Sequence, residues 1–119
     1  MAKPRVDPAE GQAAVTAVLA GSSAREDVAG AVRYLLQLMS DAAPGHTVEL
    51  RVPPFGAIQC VEGPEHTRGT PPNVVEMDSL TWIALATGSL SWAQAYDDGK
   101  ISASGVRSDL SSQLPLAQW

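Results

Sequence analysis

Cysteine occurs once in this chain, at position 60, so no intrachain disulfide can form and an oxidising compartment is not implied. Histidine is almost as scarce. His46 and His66 are the two present, and neither has the spacing to partners that a zinc site uses. Aromatic side chains make up only 5% of the 119 residues, which leaves Ala, Val, Leu and Ile to fill a core. No apolar run approaches the roughly 18 residues that cross a bilayer, so stable membrane insertion is not expected. Residues 13–20 are apolar, but Asp7 and Glu10 precede them where a secretory leader carries basic groups. They read as a soluble helix, and the expected location is the cytoplasm. Basic charge is in deficit as well, with 8 Lys and Arg against 13 Asp and Glu, a net charge of -5. A nucleic-acid backbone or an anionic membrane surface would meet repulsion, so neither is an expected partner.

What is present suffices for one globular domain over residues 1–119, since hydrophobic residues reach 45%. An N-terminal helical part is expected at about 8–42, and a sheet with later helices at about 46–116. Asp7 and Pro8 suit a helix start, and that helix should run to Gly21. Ser23-Ala24-Arg25-Glu26 has capping-box spacing and predicts a second helix whose stripe is Val28, Val32, Leu35, Leu36 and Met39. Arg25, Asp27, Arg33 and Gln37 fall off that stripe.

Residues 47–52 alternate, with Val48, Leu50 and Val52 on one face, until Pro53-Pro54 stops the strand. Residues 57–62 return as a second strand in a hairpin or bent meander. Residues 65–68 fit a short edge strand, and 73–77 fit another that feeds into Asp78. Asp78 caps a helix carrying Trp82, Ile83 and Leu85 up to a Thr87-Gly88 stop, and Ser91 caps a shorter one with Trp92, Ala95 and Tyr96. After Asp97-Asp98-Gly99 a strand begins near Lys100. A last helical turn is expected from Ser108 or Asp109 before Pro115 breaks it. Helices first, strands in the middle and helices between later strands predict an α+β layer architecture.

Chemistry-bearing patterns are few. His66 lies near Cys60, Glu62 and Glu65, yet a surface or structural histidine accounts for it better than a base or a metal ligand. Cys60 falls inside a strand, where a buried thiol is inert. No serine sits in a Gly-x-Ser-x-Gly elbow. Arg68-Gly69-Thr70-Pro71-Pro72-Asn73 has two readings. A guanidinium, a glycine and a hydroxyl can hold a carboxylate or phosphate. Equally, Arg68 can pair with Glu62, Glu65 or Glu76 while Gly69 and the prolines fix the loop and Asn73 bonds its own backbone. No catalytic residue, metal site or cofactor is expected.

The order of acidic cap, Trp82-x-x-Leu85-x-x-Gly88, short helix and Gly99-Lys100-Ile101-x-x-x-Gly105 resembles the sterol carrier protein-like family. The segments 51–59 and 66–76 are similar to its small bacterial branch. The resemblance implies an α+β fold with a curved, mixed or antiparallel sheet of about four to five strands and helices on one face. It also implies a non-enzymatic carrier of lipid or another hydrophobic small molecule, an acyl chain for example. In that reading Leu80, Ile83, Leu85, Leu90, Trp92, Tyr96, Ile101 and Leu110 wall an apolar cavity, and Arg68, Thr70 and Asn73 meet the head group. Trp92, in the first turn of its helix, suits either a cavity lip or a homodimer contact. Ser102, Ala103 and Ser104 stand where carriers place larger apolar groups, and after Pro115 there is no further amphipathic helix to close a tunnel. The alternative reading is a structural or interaction scaffold whose cavity is filled.

Overall fold

The structure is a computed structural model that describes residues 5–63 and 73–116. Helix α1 (Pro8–Leu19) begins where the Asp7 carboxylate accepts the Glu10 N–H at 3.2 Å, with Pro8 in the first turn. The chain reverses at Gly21, whose φ of 109° lies in the region that suits glycine. Helix α2 (Arg25–Ala42) follows, and its start differs from the capping box expected at Ser23. Ala24 is the cap residue and makes no side-chain bond. The hydroxyl that engages is that of Ser22, which accepts the Ala24 N–H at 3.2 Å and donates to Asp27 at 2.6 Å. The turn at Gly21 swings Ser22, rather than Ser23, over the first turn of α2.

The α2 stripe is wider than the sequence suggests. Val32, Leu35, Leu36 and Met39 are buried, and so are Ala29, Ala31 and Tyr34. Helix α1 accounts for the difference: it packs along α2, and a Cβ at Gly11 would overlap the Tyr34 ring. Strand β1 (Val48–Val52) buries Val48, Leu50 and Val52, and it pairs antiparallel with β2 (Gly56–Cys60) across the Pro53-Pro54 turn. Strand β3 (Asn73–Met77) lies on the other side of β1 and runs parallel to it. Strand β4 (Ile101–Ser104) pairs antiparallel with β3, which completes a mixed four-stranded sheet in the order β2-β1-β3-β4. The edge strand expected at 65–68 lies outside the described residues.

Helix α3 (Ser79–Thr87) is capped by Asp78, which accepts the Thr81 N–H at 2.8 Å, and it ends at Gly88 with a φ of 88°. Helix α4 (Trp92–Asp97) is capped by Ser91, whose hydroxyl accepts the Gln94 N–H at 3.1 Å. The last turn is a short 3-10 segment, Ser111–Gln113, with the Asp109 carboxylate accepting the Ser111 N–H at 2.8 Å. Beyond it the Leu116 N–H donates to the Ala86 carbonyl at 2.9 Å, tying this strap across the end of α3.

One face of the sheet meets the helices. Val48, Leu50, Val52, Cys60, Val75, Met77 and Ile101 join the α2 stripe and Trp82, Ile83 and Leu85 of α3 in a continuous core. Trp82 is fully buried, and its indole N–H donates to the Val32 carbonyl at 3.3 Å, linking α3 to α2. The opposite face carries Gln59, Glu76 and Ser102, all exposed, with Glu49 and Arg51 paired across it at 2.6 Å. The two faces follow from strict alternation along β1 and β3.

Candidate functional site

The eight side chains expected along one apolar wall occupy three separate places. Ile83, Leu85, Ile101 and Leu110 are buried in the core and pack against other side chains. Leu80 and Leu90 flank an open cleft of ≈ 490 Å³ at the start of α3, together with Pro53 and Ala84 and with Asp78, Ser79, Thr81 and Lys100 as its polar members. Leu80 is 62% exposed there, a large cost in apolar surface for a monomeric fold to leave unburied. Trp92 and Tyr96 line a second cleft, ≈ 450 Å³, with Ala103, Gly105 and Asp109. Tyr96 is 56% exposed, and Trp92 is half-buried. The division follows from helix geometry. On the wheel of α3 Leu80 shares the less buried side with Ala84 and Thr87, with Ile83 at the adjoining edge of the buried arc and Leu85 well round on its far side.

Two of the expected head-group residues, Arg68 and Thr70, lie outside the described residues, as does His66. Asn73 is described, and it holds backbone. Its amide nitrogen donates to the Thr47 carbonyl at 3.0 Å, and its oxygen accepts the Arg107 N–H at 2.9 Å. With 2% of its surface exposed, it staples the start of β1 to the turn after β4. A buried amide spent on two backbone groups is a structural element.

Cys60 is buried at the end of β2, and that burial pushes its thiol up to about 11. A thiol held neutral is a poor nucleophile at neutral pH. His46 is exposed on the open face of the sheet, with Nδ1 2.8 Å from the Gln59 side-chain oxygen. Among the described residues, no group of three or more His, Cys, Asp or Glu side chains is placed to hold a metal ion. No helix among them is long and apolar enough to cross a membrane.

Sequence reasoning did not single out a further cleft of ≈ 330 Å³ between α2 and the β1–β2 turn, lined by Arg33, Leu36, Gln37, Phe55 and Ile58 among others. Arg25 and Arg33 fall off the buried stripe of α2, and both are exposed. From there the Arg25 guanidinium sits 5.0 Å from the centre of the Phe55 ring, and Arg33 Nε donates to the Phe55 carbonyl at 3.1 Å. One signal was available: the only Phe of the chain directly follows Pro53-Pro54, a turn position where a core aromatic is out of place.

A family model described as bacterial SCP ortholog matches residues 24–116. The chain belongs to that family. The four helices and mixed four-stranded sheet are consistent with an SCP-like domain, the class implied by the motifs around Asp78, Gly88 and Gly99. The matched region opens at Ala24, the cap of α2, so α1 and the N-terminal strap before it, residues 5–7, precede the matched residues. No curated protein matches the chain.

Proposed function

We propose that this SCP-family protein is a non-enzymatic binder or carrier of a lipid or another hydrophobic small molecule, working in the cytoplasm. The observation that carries this reading is the open cleft at the start of α3, where Leu80 stands exposed beside Leu90, Ala84 and Pro53 with Asp78 and Lys100 also lining it. Its volume of ≈ 490 Å³ falls within the range of roughly 300–1,000 Å³ that small-molecule sites occupy. Each methylene buried contributes about 0.8 kcal/mol, so an acyl segment of about ten methylenes reaches micromolar affinity before ordering costs. The residues matched by the family model include the helix that supplies this wall. Neither His46 nor Cys60 has a partner arrangement that acid–base or nucleophilic chemistry would need.

A Leu80→Asp variant tests the site. Leu80 is exposed, so the change should leave the melting temperature nearly unaltered while weakening binding of a fluorescent acyl probe by tenfold or more. Equal affinity in the two proteins would remove this cleft from the account. A second reading has its own support, since Ile83, Leu85, Ile101 and Leu110 fill the interior that a tunnel would use. It makes the domain a scaffold with a packed cavity. Absence of binding for fatty acids, acyl alcohols and sterols alike would favour it.

A further inference from the structure

A cleft separate from the Leu80 groove lies where the N-terminal strap, α2 and the β1–β2 turn meet. Leu36, Phe55 and Ile58 form its apolar part, and Arg33, Gln37 and Ser40 of α2 form a polar side. Arg5 and Val6 close it from the strap. The strap is fixed in place by Gln37, whose side-chain oxygen accepts the Val6 N–H at 2.8 Å and whose amide donates to the Val6 carbonyl at 3.2 Å. Arg5 and Val6 precede the matched residues 24–116, which supply the rest of the lining.

The charges around it differ from those of the molecule as a whole. Arg5 is neutralised by Asp41 at 2.7 Å. Arg33 and Arg25 have no carboxylate at ion-pair distance among the described residues. Arg33 Nε is engaged with the Phe55 carbonyl, which steadies the guanidinium plane and leaves its two terminal nitrogens to bond a ligand. Arg25 lies over the Phe55 ring at 5.0 Å. One guanidinium without an acidic partner among the described residues, that of Arg33, thus lines a partly apolar cleft on a protein whose net charge is -5. Arg25 lies beyond the Phe55 ring in a neighbouring hollow that Glu26 also lines.

We propose that this cleft binds an anionic amphiphile, a small molecule with a carboxylate or phosphate head and a short apolar body. The head takes the free edge of the Arg33 fork, the geometry at which guanidinium and these anions bond in pairs. The body lies on Leu36, Phe55 and Ile58. The volume of ≈ 330 Å³ suits a short chain rather than a long one. Arg25 adds attraction from the far side of Phe55 without touching the head. The site does not depend on lipid binding at Leu80.

The test is an amide-resolved NMR titration of the full chain with decanoate, decyl phosphate and decanol. Shifts are expected at residues 33–40 and 55–58 and at the Arg33 Nε–H. Either anion should bind at least about tenfold more tightly than decanol, the worth of one charge-assisted hydrogen bond. The stronger of the two anions names the head group. Arg33→Gln should abolish the preference over decanol, and Arg107→Gln, away from the cleft, should keep it. If Arg33→Gln disturbs the fold, Arg33→Lys takes its place and should reduce the preference by removing the fork. Equal affinity for decanol and the anions would overturn the proposal. So would shifts confined to the Leu80–Leu90 groove, which would leave the carrier reading standing, or no shifts with any probe.

Discussion

Cys60 and Asn73 show how differently single residues declare themselves. Cys60 sits in an alternating strand, so its burial follows from the sequence pattern, and desolvation then pushes the thiol up to about 11. Because the folded thiol ionises later than the unfolded one, its contribution to stability is complete below about pH 9, the unfolded value. It is lost as pH rises toward about 11, at no more than about 1.4 kcal/mol per pH unit. Comparing denaturant midpoints of the protein and Cys60→Ala across this range isolates the effect. The native thiol should also resist a disulfide reagent at pH 8 until the chain unfolds; rapid labelling of folded protein would contradict its burial. Asn73 was readable as a strand-start residue that contacts a head group or bonds its own backbone, not as a link between distant segments. Its partners, Thr47 and Arg107, come from segments far apart in the chain, and no local pattern brings them together.

The caps were the most legible elements. Asp7, Asp78 and Ser91 each accept the N–H three residues on, as short polar side chains before apolar periodicity imply. Ser23 was the exception, displaced by the turn at Gly21. What the pattern could not show is how near α1 approaches α2. Gly11 is buried against Tyr34 without room for a methyl group. In an exposed helix Gly→Ala stabilises by about 1 kcal/mol. Here Gly11→Ala should destabilise by about 1–3 kcal/mol, because the Tyr34 ring must shift within a packed interface. A higher denaturant midpoint for the variant would mean that the two helices stand farther apart than described.

Across the whole molecule, the alternating strands and the Pro53-Pro54 stop made the β1–β2 hairpin readable, but the strand order was not. Placement of β3 beside β1, parallel to it, depends on a connection between non-neighbouring strands that periodicity does not encode. The expected cavity wall failed to form one surface for a related reason. Spacing tells which residues share a face of α3 or α4, but not whether that face meets the sheet, the strap or water. Leu110 entered the core through the 105–116 segment, while Tyr96 stayed at the surface. The Arg33–Phe55 cleft went unread because it joins the polar side of one helix to a turn more than twenty residues away.

The most direct test of a carrier role is native mass spectrometry of the protein purified from its own host, with a denatured and solvent-extracted control. The expected result is a reproducible extra mass that the extract identifies as a lipid or another amphiphile. A clean mass of the chain alone, with no thermal shift from fatty acids, acyl alcohols or sterols, would contradict it and leave the packed scaffold.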